Sequence, residues 1–175
     1  MNLSEYNDIA IKIKDIYREI DEKMSIYLKE NNIGCSSCCG GCCCNSTTVE
    51  VSPIDLIPLA LSLINSEKEI LDKINQNLDK PCMFWIGQKC TVYENRAILC
   101  RMFGVCSVYN KEHKESISIC EYINKKELSN YPPNIVDYSS KITNLVPSWD
   151  SRTRPFNESL KYAIEKILNS VSYEL

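Results

Sequence analysis

Cys35-Ser36-Ser37-Cys38-Cys39-Gly40-Gly41-Cys42-Cys43-Cys44 places six cysteines in ten consecutive residues. No charged residue lies between positions 35 and 48, and Gly40 and Gly41 let the backbone turn tightly. A Cys-x-x-Cys pair in such a turn, here Cys39 and Cys42, can put both sulfurs on one metal with backbone amides aimed at them. Neighbouring side chains on extended backbone point apart. Cys42 and Cys43 are therefore expected to serve different metal atoms or opposite sides of one cluster. This favours a multinuclear site, or two adjacent sites, over a single tetrahedron. Apart from its cysteines the loop has little apolar content, so metal binding is expected to contribute to its folding.

Working outward, the other five cysteines are Cys82, Cys90, Cys100, Cys106 and Cys120, and none lies before position 35 or after position 120. Core cysteines would scatter along the chain, whereas this clustering suggests soft-metal ligation. The total of eleven is odd, so complete internal pairing as disulfides is impossible. A disulfide framework and redox-active thiols are the competing readings. The 175 residues fit one domain, and 44% hydrophobic with 25% charged residues is a globular composition. A net charge of −3 gives no electrostatic case for nucleic acid or an anionic membrane. The longest apolar run, residues 54–64, is interrupted by Asp55, Pro58 and Ser62, and is shorter than the roughly 20 residues of a membrane span. The opening residues lack the basic-then-apolar pattern of a secretory signal, so a cytoplasmic protein, in which thiols stay reduced, is expected.

Ile9, Ile13, Ile16, Ile20, Met24 and Leu28 recur at helical spacing and predict one long amphipathic helix over 4–30, capped by Ser4 and ended at Gly34. Residues 47–51 suit a short strand. Ser52-Pro53-Ile54-Asp55 starts a helix that runs to position 64, and a second is predicted over 67–78. Residues 82–93 alternate around Gly87 and predict a small hairpin. A helical turn over 94–103 carries Arg96 and Cys100 and stops at Gly104. Residues 105–109 and 116–119 suit a second hairpin, and a short helix follows from Cys120 to 128. Residues 130–155, with Pro132, Pro133, Pro147 and Pro155, are expected to form an irregular strap. A last helix over 156–171 has Leu160, Ile164, Ile167, Leu168 and Val171 as its apolar face. The expected fold is mainly α with small β-hairpins, in one domain organised around a cysteine-rich metal centre. Its parts are the N-terminal helix (1–34), the cysteine region (35–133) and the strap with the C-terminal helix (134–175).

Downstream of the loop the order is Cys82-x7-Cys90-x-x-Tyr93-x-x-Arg96-x-x-x-Cys100-Arg101-x-Phe103, then Cys120, then Tyr131-Pro132-Pro133. This order resembles the CxxCxxCC cysteine-cluster family, described as zinc- or iron-chelating, which includes the N-terminal region of flagellin lysine N-methylases. In that family C-x-x-C-G-x-C-C is followed by one cysteine, then C-x-x-Y-x-x-R-P-x-x-C-R-x-F, then one more cysteine. The resemblance spans about residues 35–133. It implies metal ligation by Cys39, Cys42 and Cys43 of the first motif and by Cys82, Cys90, Cys100 and Cys120 of the later ones. The family's first cysteine falls on Ser36 here, so Cys35 or Cys38 takes its place. The family's Arg-Pro is Arg96-Ala97. Cys44 and Cys106 are extra to the pattern.

Eight thiolates, with Cys35 as the eighth, suffice for two four-thiolate sites of either kind. All-sulfur ligation admits both metals. Structural zinc sites usually come as two paired knuckles, whereas the later cysteines here are single and widely spaced. That favours an iron–sulfur cluster, of the [4Fe-4S] type, with zinc as the alternative and copper(I) a minor third. Arg96 and Arg101 lie beside the ligands and are cofactor-binding candidates, able to offset the centre's negative charge or donate to sulfur. Pairing with surface carboxylates is the competing reading. His113, the only histidine, sits in the charged stretch 111–114 and is expected to be solvated, which leaves a histidine-based zinc site or a Ser-His-Asp triad without support. No phosphate-binding glycine motif occurs. Cys35-x3-Cys39-x2-Cys42 matches the spacing of radical S-adenosylmethionine enzymes, but the chain is too short for their barrel. Trp85, Trp149 and the tyrosines are expected to pack the core and hairpins. The expected roles are electron transfer, or support of a partner enzyme, through a protein or redox partner; the alternative is a structural zinc module for protein interaction. Lysine methylation follows only from the resemblance, and no methyl-donor site is recognisable.

Overall fold

The computed structural model describes residues 1–33, 49–66, 82–87, 89–120 and 128–171, together with Asp72. The cysteine loop 35–48, and most of the helices expected over 67–78 and 120–128, lie outside the described residues.

Helix α1 (Leu3–Glu30) opens with a reciprocal capping box. The Asn2 side chain accepts from Glu5 N at 2.9 Å, and the Glu5 carboxylate accepts from Asn2 N at 2.8 Å. The cap is therefore Asn2 rather than Ser4. The box needs an acid three residues on, which Asn2 has in Glu5 and Ser4 lacks in Asn7. At the far end Asn32 has φ 52°, Ile33 N donates to Leu28 O at 2.8 Å and Asn32 N to Lys29 O at 3.2 Å. This is a Schellman ending with Asn32 in the left-handed position, and Gly34 lies outside the described residues.

The buried face of α1 is Tyr6, Ala10, Ile13, Tyr17, Ile20, Met24 and Tyr27. Ile13, Ile20 and Met24 belong to the expected stripe, while Ile9, Ile16 and Leu28 flank it. The difference is the tyrosines. Their rings take the core positions while their hydroxyls find partners: Tyr6 at Ser170 Oγ, Tyr17 at Asp55, Tyr27 at Asn130 O.

Strand β1 (Glu50–Val51) leads into a 3-10 turn (Ile54–Leu56) and α2 (Ile57–Ile64). Residues 51–61 are buried throughout, so this is the central segment. It packs against α1 and the C-terminal helix. Ser52 Oγ accepts from Ile54 N at 3.3 Å, but the capping position of the 3-10 turn is Pro53 rather than Ser52, and the α-helix begins only at Ile57.

The first hairpin pairs β2 (Trp85–Ile86) with β3 (Lys89–Cys90), with Gly87 at φ 58°. A 3-10 turn (Tyr93–Asn95) and the single-turn helix α3 (Ile98–Arg101) follow. Gly104, at φ 103°, takes a conformation that side chains rarely adopt and redirects the chain into β4 (Val105–Tyr109). β4 pairs antiparallel with β5 (Glu115–Ile119), from Val105 opposite Ile119 to Tyr109 opposite Glu115.

The strap expected over 130–155 is corrected by α4 (Ile135–Thr143). The prolines bracket this helix rather than breaking it. Pro132 and Pro133 precede its cap, Asn134, whose side chain accepts from Val136 N at 3.0 Å, and Pro147 follows its end. Tyr138 and Ile142 are buried one turn apart, and Glu19 of α1 holds Tyr138 Oη at 3.1 Å and Lys141 Nζ at 3.0 Å.

Strand β6 (Arg154–Pro155) pairs with β1 and runs into α5 (Phe156–Val171). Leu160 and Ile167 are buried as expected, but Ser159 and Ala163 share the face, and Leu168 is 46% exposed. Small residues bring α5 close to the central segment, where Ser159 Oγ donates to Val51 O at 2.6 Å. The Val171 side chain lies outside the described residues. Trp149 packs edge-on against Tyr6 and Tyr162, each at 5.8 Å. The class is mainly α with small antiparallel strand pairs, as expected. No described helix is long and apolar enough to cross a membrane.

Candidate metal centre

Of the eight expected ligands, Cys82, Cys90, Cys100 and Cys120 are described, each partly exposed. Cys35, Cys39, Cys42 and Cys43 lie outside the described residues, as do Cys38 and Cys44.

The first hairpin positions Cys82 and Cys90. Cys82 precedes Met83 and Phe84, which are buried, and Phe84 meets Phe156 edge-on at 5.8 Å. Trp85 N donates to Cys82 O at 3.1 Å, Thr91 N to Phe84 O at 2.9 Å, and Cys90 stands opposite Trp85. The hairpin thus holds Cys82 and Cys90 on a frame anchored to α5.

The Gly104 junction positions the other two. Cys100 lies on α3 between the buried Ile98 and Arg101. Cys120 N donates to Gly104 O at 2.7 Å, which fixes Cys120 beside the residue that ends the α3 region. Among the described residues no group of three His, Cys, Asp or Glu side chains could hold a metal. A four-thiolate site therefore needs donors beyond the described residues. The all-sulfur character of Cys82, Cys90, Cys100 and Cys120 suits a soft metal.

The two arginines differ. Arg96 lays its guanidinium over the Tyr93 ring at 3.5 Å and donates from Nε to Tyr93 O at 3.0 Å. Arg101 is turned inward, its side chain 3% exposed. Nε donates to Arg96 O at 3.0 Å, Nη2 to Glu94 O at 2.6 Å and Nη1 to the Asp21 carboxylate. Its guanidinium also lies 4.1 Å from the centroid of the Tyr17 ring. Each of its three nitrogens thus has a protein partner.

Beside Arg101 is a buried acid that sequence reading took only as a helix-start residue. Asp55 accepts from Tyr17 Oη at 3.0 Å and from Ile98 N at 3.0 Å. Tyr17 Oη also donates to Asp55 O. Burial pushes the Asp55 carboxyl up to about 7, against the hydrogen bonds from Tyr17 and Ile98 and the charge of Arg101, which pull it down. Burial, then the Asp55 charge, pushes the Tyr17 phenol well above its ordinary value. The only sequence signal was a carboxylate inside an otherwise apolar run.

Cys106 is buried on β4 opposite Ser118, and burial pushes its thiol up. His113 is exposed in the turn between β4 and β5, at φ 56°.

A family model described as "CxxCxxCC: Putative zinc- or iron-chelating domain" matches residues 34–133, more than half of the chain. Comparison with curated proteins and with solved structures gives no match.

Proposed function

The chain belongs to the CxxCxxCC family of zinc- or iron-chelating domains, and from that membership we propose that it carries an iron–sulfur centre of the [4Fe-4S] type. The observation that carries this reading is the placement of the later cysteines. Cys82 and Cys90 flank one hairpin, Cys100 sits on a single helical turn, and Cys120 follows a second hairpin. They are widely spaced along the chain, two on one hairpin, one on a helical turn and one at the end of a second hairpin, unlike the closely spaced Cys-x2–4-Cys knuckles of structural zinc. Cys35, Cys39, Cys42 and Cys43 would complete two sets of four with them. When bound, such a cluster supplies one-electron transfer.

This chain's own residues hold the centre and set its surroundings. Arg96 and Arg101, close to Cys100 in sequence, would offset the thiolates' negative charge, and with Arg101's nitrogens taken by Arg96 O, Glu94 O and the Asp21 carboxylate, its contribution would be through its field. The role that fits is electron transfer or support of a partner enzyme in the cytoplasm. The knuckle-like Cys39-Gly40-Gly41-Cys42 favours the second reading, a structural zinc module for protein interaction.

Purification without oxygen, followed by visible absorbance and by iron, zinc and acid-labile sulfide per chain, decides between them. Broad absorbance near roughly 400 nm with matched iron and sulfide supports the cluster. About two zinc per chain without sulfide, in a colourless protein, supports the zinc module and overturns the cluster.

A further inference from the structure

We infer that Asp55 is a positioning residue for the Cys100 ligand, and that it acts with Tyr17 and Arg101 as a buried clamp closed around the helical turn that carries that cysteine. The inference rests on the metal-binding reading above.

The clamp grips both ends of α3. At its first residue, Ile98 N donates to the Asp55 carboxylate at 3.0 Å. At its last residue, Arg101 reaches Asp21 on α1 and the carbonyls of Glu94 and Arg96 in the preceding turn. Tyr17 joins the two grips, its hydroxyl on Asp55 and its ring against the Arg101 guanidinium. Cys100 lies between them, on the same helical turn. Two elements distant in sequence, α1 and the turn before α2, thus fix a four-residue helix too short to hold itself.

Stability alone does not account for the arrangement. A buried ionic network is often no more stabilising than apolar residues of the same volume. What it adds is direction. A carboxylate that receives a single backbone amide and one phenol admits one placement of Ile98, and hence of Cys100. Apolar packing would tolerate slippage.

The test uses the full-length protein, purified without oxygen, as wild type, Asp55→Asn, Tyr17→Phe and Ser159→Ala. Ser159 loses a buried hydrogen bond of its own, far from α3 in the chain, and so serves as the control for mere loss of stability. Two readouts are taken under conditions where circular dichroism shows every variant folded. One is metal release to a competing chelator. The other is the rate of alkylation at Cys100, measured peptide by peptide against Cys106. The clamp predicts about tenfold faster metal release and about tenfold faster Cys100 alkylation in Asp55→Asn, a smaller change in Tyr17→Phe, and none in Ser159→Ala. Equal effects in Ser159→Ala, or none in Asp55→Asn and Tyr17→Phe, would overturn it. If Asp55→Asn does not fold, Tyr17→Phe against Ser159→Ala decides alone. A wild-type protein that takes up no metal sinks the metal-binding reading instead, and the alkylation readout still decides whether Asp55 fixes Cys100.

Discussion

Cys100 and Cys106 share a short stretch of chain but meet different surroundings. Cys100 is partly exposed on α3, beside the buried clamp, whereas Cys106 is buried on β4 with its thiol pushed up by that burial. Replacing Cys100 by Ser is expected to weaken metal binding by more than about 100-fold, beyond the loss typical of an outer partner, and Cys42→Ser or Cys43→Ser should do the same. Cys106→Ala and Cys44→Ser should change it far less. Metal per chain by elemental analysis checks this, and full metal content in Cys100→Ser would refute the ligand assignment. Asp55 makes a separate prediction. Its carboxyl is raised from 3.8 to about 7 in the folded state. The folded state therefore holds a proton that the unfolded state has released between those values, and stability falls as pH rises from about 4 to about 7. Asp55→Asn should flatten that part of the profile, a difference on the order of 4 kcal/mol between the two ends at most. Urea midpoints for both proteins at the two ends of the window measure it. Glu19 works in another window: hydrogen bonds from Lys23 and Lys141 hold its carboxyl down at about 2, so its contribution is lost only as pH falls below 4.5.

At the scale of elements, the turn from Tyr93 to Gly104 has the most to test. Ala97 stands where the family pattern has proline, and its φ of −58° is the value a proline ring fixes, with Arg96 extended before it at ψ 140°. The turn keeps a proline-type backbone without the proline. Ala97→Pro should therefore stabilise the protein by about 0.5–1 kcal/mol by restricting the unfolded chain. A fall in thermal midpoint would mean that the space around this fully buried residue does not admit the ring. Gly104→Ala meets no neighbour within 4 Å but forces a side chain onto φ 103°. It should cost about 1–3 kcal/mol, and also lower metal content, because Gly104 O anchors Cys120. The two hairpins were legible from alternation around Gly87 and from the paired runs 105–109 and 116–119. Helix α4 was not, because four prolines near it suggested an irregular strap. A proline two residues before a helix start, or several after its end, breaks nothing, and only the core that receives Tyr138 and Ile142 shows that the segment between coils.

For the whole molecule, the helical core and the cysteine scaffold are joined rather than separate. Phe84 of the first hairpin meets Phe156, Arg101 meets α1, and the end of α1 receives Ser129 N on Asn31 at 2.8 Å. Metal removal should therefore be felt globally. Chelation is expected to lower the thermal midpoint of the entire cooperative transition, by the equivalent of about 4 kcal/mol if the free metal is a thousandfold above its dissociation constant. Two separate transitions after chelation would show instead that the helices fold independently of the centre. The sequence by itself determined the class, mainly α with small hairpins, and the metal-binding character. Both are written in local patterns: helical spacing in 4–30 and 156–171, turn glycines, and thiolates at family spacing. Only the tertiary structure decided which side chains face inward. It put Tyr6, Tyr17 and Tyr27 in the core, buried Asp55, and turned Arg101 inward toward α1. The physical reason is that periodicity fixes a face, but burial of a polar group depends on a partner that lies far away in sequence. Tyr17 and Asp55 are acceptable inside because they satisfy each other and Ile98 N supplies Asp55 with a further donor.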